Sequence, residues 1–144
     1  MLTLTERLRQ YKVVAAFVEY FGPGLANLAF SDRATVSNMA PEYGATMGFF
    51  PIDALTLQYL AQTDRGHNNE LIEHYARLQG LWHEAEGPQP VYDEVLEVDL
   101  SEIRPSIAGP RRPQDRILLN EAASGFDRDV LQSGRHYRCP VGKS

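Results

Sequence analysis

The stretch SDRATVSNMAPEYGATMGFFPID, residues 31–53, decides how the chain is read. It opens like a capped helix, with Ser31 and Asp32 ahead of alternating small and apolar residues. It closes like a buried strand, ATMGFF, ended by Pro51. Between them lies a joint, Asn38-Met39-Ala40-Pro41-Glu42-Tyr43-Gly44, where polar groups stand among small residues. Side chains held at such helix and strand ends carry function more often than core positions do. Glu42 is a lone acid between Pro41 and Tyr43, and partial withdrawal from water there would suit it to acid–base work. Capping a helix end or facing solvent is the competing explanation. Asn38, one helical turn earlier, shares a cavity with Glu42 if the helix persists to Pro41, and otherwise serves as a helix C-terminal cap.

Outward from this stretch the chain alternates strand and helix signals. Toward the N-terminus, Thr3 or Thr5 caps a short helix through TERLRQYK, with Leu4, Leu8 and Tyr11 on one face. VVAAFVEY follows as a buried strand, bounded by Gly22-Pro23-Gly24, and GLANLAF is a short helical piece. Toward the C-terminus, Asp53 caps a helix through ALTLQYLAQT. A polar break at residues 63–69 opens a third helix, ELIEHYARLQGLW. Leu71, Tyr75, Leu78 and Trp82 line its inner side, and Gly80 marks its end. EAEGPQP is a loop, and VYDEVLEVDL reads as a strand near a sheet edge. The reading divides the chain into an α/β domain over residues 1–103, an extended proline-rich connector over 104–120 and a divergent, poorly ordered tail over 121–144. Strands alternating with helices predict an α/β fold with a largely parallel sheet.

Composition excludes several classes. The 144 residues hold one domain with a real core, and 43% hydrophobic with 23% charged residues is ordinary for a globular chain. A formal net charge of -5 argues against nucleic acid or an anionic membrane as the main partner. No apolar run reaches the roughly 18–20 residues of a membrane span. The start, MLTLTERLRQYK, puts charges where a signal peptide would be apolar. One cysteine, Cys139, excludes an internal disulfide and any metal site built on cysteine pairs, and a cytoplasmic setting is expected.

Other candidate groups carry less chemistry. His67 and His74 are seven apart on one helix face, and both are read as surface positions. His83 and His136 have no ligand-like partner nearby. His136-Tyr137-Arg138-Cys139 sets a thiol near positive charge, but no acid or amide orients the imidazole. Arg111-Arg112 with Arg116 forms either an anion site or a solvated linker. Neither Gly22-Pro23-Gly24 nor residues 44–48 makes a phosphate-cradling loop.

The order of residues over VVAAFVEYFGPGLANLAFSDRATVSNMAPEYGATMGFFPIDALTLQYLAQT closely resembles the aconitase family, in the branch of bacterial aconitate hydratase and the iron-regulatory proteins. HYARLQGLW and VYDEVLEVDLSEIRPSIAGPRRPQDR match in the right order, so the likeness covers residues 2–116. DRATVSNMAPEYGAT followed by FFPID is its most specific part. The resemblance implies an internal segment, the second of three similar domains around an iron–sulfur cluster, with a three-layer α/β/α fold. It implies a hydro-lyase that interconverts citrate and isocitrate through cis-aconitate, using a [4Fe-4S] cluster with one iron open to substrate. A 2-methylisocitrate dehydratase shares these motifs, and a non-catalytic remnant or binding module is a further alternative.

Carried over residue by residue, the motif NMxxExGAT makes Glu42 the catalytic carboxylate near the leaving hydroxyl and places Asn38 close to the cluster. The cluster cysteine motifs are absent from this sequence, so no cluster is expected on this chain alone and the remaining aconitase domains are its expected partners. The family pattern has glycine where Lys12 stands, Gly-Lys where Ala15-Ala16 stand, and glycine where Asp64 stands. Beyond Leu118 the pattern is no longer recognisable.

Overall fold

The computed structural model describes residues 1–84, 87, 90–109 and 112–126. Its centre is a pair of short parallel strands, β1 (Phe17–Glu19) and β2 (Met47–Phe49), in the register Phe17↔Met47, Val18↔Gly48 and Glu19↔Phe49. Parallel strands need a crossover, and a 3₁₀ turn (Pro23–Asn27) followed by helices α2 (Phe30–Asn38) and α3 (Ala40–Tyr43) supplies it. Helix α1 (Leu2–Tyr11) packs on α3. Helices α4 (Ala54–Gln62) and α5 (Asn69–Leu78) follow β2 and pack on each other. An isolated parallel bridge, Ile52↔Trp82, adds a third chain pass beside the end of β2. The structure is therefore mixed α/β with a small parallel sheet.

Leu8, Ala40, Tyr43 and Ala45 form the buried cluster, with Val13, Val18, Tyr20, Met39 and Leu96 packed against it. The core thus sits between α1, α3 and one face of the sheet, directly beneath the joint that carries Glu42.

Several local expectations change. Helix α1 begins at Leu2, and Thr3 and Thr5 lie buried inside it rather than capping it. Helix α2 takes Ala29 as its N-cap, so Ser31 and Asp32 fall inside the first turn, where Asp32 still complements the helix dipole. The expected buried strand VVAAFVEY is three residues of β1 with Phe17 73% exposed, because positive φ at Lys12 and Ala15 turns the chain before it. Likewise β2 leaves Met47 40% exposed. The inner side expected for α5 is its outer side: Leu71, Tyr75 and Leu78 are exposed and Ala76 is the buried residue.

VYDEVLEVDL forms no strand. It holds to the body through side chains, with Tyr92 stacked on Phe21 at 4.5 Å and Leu96 in the core. Within the expected connector, β3 (Ser106–Ile107) and β4 (Ile117–Leu118) pair antiparallel. Arg116 on this ribbon pairs with Glu6 of α1 at 2.8 Å and donates to Ser106 at 3.0 Å, so it is a structural tie rather than an anion site. Residues 122–126 are helical. The rest of the expected tail, with His136 and Cys139, and Arg111 of the arginine group lie outside the described residues.

Candidate functional site

The joint owes its shape to Pro41. A continuous helix would need the residue-41 N–H to donate to Ser37, and proline has none, so α2 stops at Asn38. Met39 turns the chain with φ -90° and ψ 16°, and α3 restarts with Pro41 in its first turn. The helix therefore does not persist to Pro41, so the condition under which Asn38 and Glu42 would share a cavity is not met. Gly44 then closes α3 in the left-handed region at φ 88°, and its N–H donates to Ala40 O at 2.9 Å. A Cβ there would meet only the mobile end of the Arg9 side chain, so glycine is demanded by the backbone rather than by space.

Tyr43 anchors the joint. It is fully buried, and its hydroxyl accepts from the Tyr20 hydroxyl at 3.2 Å and donates to Val36 O at 3.3 Å. Tyr20 stacks on Phe50 at 4.4 Å, linking the two strand ends. Burial, with the Tyr43 hydroxyl adding to it, pushes the Tyr20 phenol far above its ordinary range. Burial also raises the Tyr43 phenol, against its bond from Tyr20 and together with the nearby Glu42 charge. Both phenols therefore stay neutral and keep the protons that the relay donates. Gly48 is the counterpart on β2, since a methyl there would run into the Tyr43 hydroxyl and meet Ser37 Cα at 3.2 Å.

Glu42, one residue before this anchor, is partly buried. Its Oε2 is closed off from solvent and has no hydrogen-bond partner among the described residues. Asn38 is exposed at the end of α2. Both residues thus border the same kink, one on each side of Met39.

A second polar cluster, which sequence reasoning passed over, lies on α2. Arg33 is 3% exposed and pairs with Asp53 at 2.8 Å. It also donates from Nε to Leu28 O at 3.1 Å and from Nη2 to Leu25 O at 2.8 Å. Asp53 caps α4 as expected, through a reciprocal capping box with Thr56. Burial alone would raise the Asp53 carboxyl. The Arg33 hydrogen bond, the Thr56 amide and the Arg33 charge outweigh it and hold the carboxyl below its ordinary value. Arg33 also lines a cleft of about 270 Å³ with Phe30, Ser37, Phe50 and Thr56, and neither Asn38 nor Glu42 borders it.

The histidines stay apart. His67 and His74 are exposed, as read, and His83 is taken up by backbone pairing with Ile52. Among the described residues no group of three or more His, Cys, Asp or Glu could hold a metal ion. No helix among them is long and apolar enough to cross a membrane.

Comparison with known sequences settles the family. The family described as "Aconitase family (aconitate hydratase)" matches residues 1–141. The chain belongs to the aconitase family. Among similar proteins, the aconitate hydratase A of Rickettsia felis is 53% identical over 135 residues, which is 93% of this chain and 15% of the relative. That of Thermus thermophilus is 55% identical over 128 residues, 88% of this chain and 14% of the relative. That of Escherichia coli is 43% identical over 159 residues, 99% of this chain and 18% of the relative. The chain therefore spans about 15% of the length of these relatives. The family match also runs past residue 116, where the sequence reading ended the likeness, to residue 141.

Proposed function

We propose that the chain is one segment of an aconitate hydratase, a hydro-lyase interconverting citrate and isocitrate through cis-aconitate. Its place is the second of three similar domains in the iron-regulatory-protein branch, completed to three α/β/α layers and working in the cytoplasm. The observation that carries this is the aconitase match over residues 1–141, with relatives named aconitate hydratase A at 43–57% identity.

The donor set of this chain does not fit the family's iron–sulfur cluster by itself. One cysteine in 144 residues cannot supply the several thiolates such a cluster takes. The cluster and most contacts to the tricarboxylate fall to the remaining domains. What this chain contributes is Glu42, a carboxylate on a kink that the buried Tyr43 keeps from swinging. A base from the remaining domains takes the proton of the neighbouring carbon, whose bonding pair becomes the double bond. As it does so, Glu42 in its acid form gives a proton to the departing hydroxyl, which leaves as water, and both protons return on re-addition. Asn38, across the kink, borders the cluster side. An oxygen without a hydrogen-bond partner among the described residues suits this role, because it is free to meet a substrate hydroxyl.

The test is Glu42→Gln in the complete protein. Turnover of cis-aconitate is expected to fall by roughly 10²–10⁴-fold with the circular dichroism spectrum unchanged. Turnover within about twofold of the parent would make Glu42 an ordinary surface acid.

A further inference from the structure

The geometry points to Tyr20 as a positioning residue for Glu42, acting through Tyr43 to fix the angle between α2 and α3. The inference rests on the reading of Glu42 as the proton donor and names the strand residue that keeps it in place. Pro41 removes one of the backbone bonds that would join the two helices across the kink. The Tyr43 side chain replaces it, reaching back seven residues to donate to Val36 O at 3.3 Å. Val36 stands two residues before Asn38 and Tyr43 one residue after Glu42, so this one hydrogen bond spans the whole joint.

A phenol has one proton to donate, and its hydroxyl turns to suit its neighbours. Tyr20 decides where the Tyr43 proton goes. Its own hydroxyl donates to the Tyr43 oxygen at 3.2 Å, which leaves the Tyr43 proton for Val36 O. Hydrogen bonds in such a chain polarise and strengthen one another, the more so away from water. Val36 is buried and Tyr43 fully so.

Tyr20 can hold Tyr43 because it is itself held twice. Its N–H donates to Phe49 O at 2.9 Å, which continues the pairing of β1 with β2. Its ring stacks on Phe50 at 4.4 Å between centroids, with 9° between the planes. The lock therefore runs from the paired strands into α3. Glu42 lies within its reach, since the Glu42 charge helps to raise the Tyr43 phenol.

Tyr20→Phe tests this, because it removes the donor and keeps the ring that stacks on Phe50. In the complete protein, kcat for cis-aconitate is expected to fall by about 3–10-fold with KM within about twofold, the pattern of a misplaced reacting group. In a Glu42→Gln background the same change is expected to cost less than about twofold more, because the proton it positions is already gone. Amide exchange read by peptide mass spectrometry supplies a second measure. The peptide holding residues 39–44 is expected to exchange about 3–10-fold faster in Tyr20→Phe, with α5 unchanged. With Glu42→Gln impaired, an unchanged kcat in Tyr20→Phe or equal losses in both backgrounds would overturn the inference. Exchange that is unchanged at residues 39–44, or raised to the same degree in α5, would overturn it as well. Full turnover in Glu42→Gln, with faster exchange confined to residues 39–44, would refute the proton-donor reading and leave the lock on the kink standing.

Discussion

Replacing Ala15 by glycine is expected to stabilise the chain, which is unusual for a substitution that only removes atoms. Ala15 has φ 63°, in the left-handed region. It occupies the third position of a turn closed by the Ala16 N–H to Val13 O at 3.1 Å, where positive φ is the pattern of a type II turn. An L-residue with a β-carbon gives up about 1–2 kcal/mol there. Against this, glycine has a freer unfolded chain, a cost of about 0.5–1 kcal/mol. The Ala15 methyl is exposed, so its loss forfeits little packing, and the Ala15 N–H keeps its bond to Gly44 O at 3.1 Å. The net gain is about 0.5–1 kcal/mol, or roughly 2–4 °C in melting temperature for a chain of this size. Urea unfolding should show a higher midpoint with the same slope. Ala16, its neighbour, has no positive φ, and Ala16→Gly should lower stability by about 0.5–1 kcal/mol. A midpoint for Ala15→Gly at or below that of the parent, or the same sign at both positions, would refute the reasoning.

The acid stability of the chain is expected to depend on Asp53. Its folded carboxyl lies below the unfolded value of 3.8, so its contribution is present above about pH 4 and is lost as pH falls through the folded value. Asp53→Ala should cost about 3–5 kcal/mol at pH 7, since Arg33 is left buried and unpaired, and the urea midpoint should then vary less between pH 4 and pH 2. A mutant curve parallel to the parent's would disprove the assignment. Gly48→Ala should cost about 1–3 kcal/mol by driving a methyl against the Tyr43 hydroxyl. Tyr43→Phe removes that obstacle, so the double mutant should lose at least about 0.5 kcal/mol less than the sum of the single changes. Additive losses, measured by urea unfolding, would mean the hydroxyl is not the obstacle.

What the sequence made legible was local. The joint, the Asp53 cap and the helix stop at Gly80, with φ 70°, each rest on residue chemistry within a few positions. The family's glycine positions were legible too, and they carry a backbone meaning. Lys12, Ala15 and Asp64, the positions where the resemblance implies glycine, are the three non-glycine residues with positive φ among the described residues. Long-range facts left no such trace. Nothing local marks Arg33 and Asp53 as partners, twenty positions apart. Nor does alternation in VYDEVLEVDL distinguish a strand from an extended segment held by Tyr92 and Leu96. Apolar periodicity located the stripe Leu71, Tyr75 and Leu78, but a stripe says only that a face seeks cover. It does not say that the cover lies within the same 144 residues.

That distinction explains how a scaffold with exposed apolar faces can still hold a precise carboxylate. Neighbouring helix positions point about 100° apart, so burying Tyr43 in the core turns Glu42 toward the rim of α3. The hydroxyl relay from Tyr20 to Val36 fixes Tyr43 from β1 and α2 at once, and Gly48 lets β2 approach closely enough for the relay to form. Glu42 is therefore oriented by residues of this chain alone. Its Oε2 has no hydrogen-bond partner among the described residues. Placing a polar oxygen out of water without a partner costs about 1–3 kcal/mol. In a chain that already leaves apolar faces open, that cost is sustained because Tyr43, Gly48 and the hydroxyl relay hold the joint rigid.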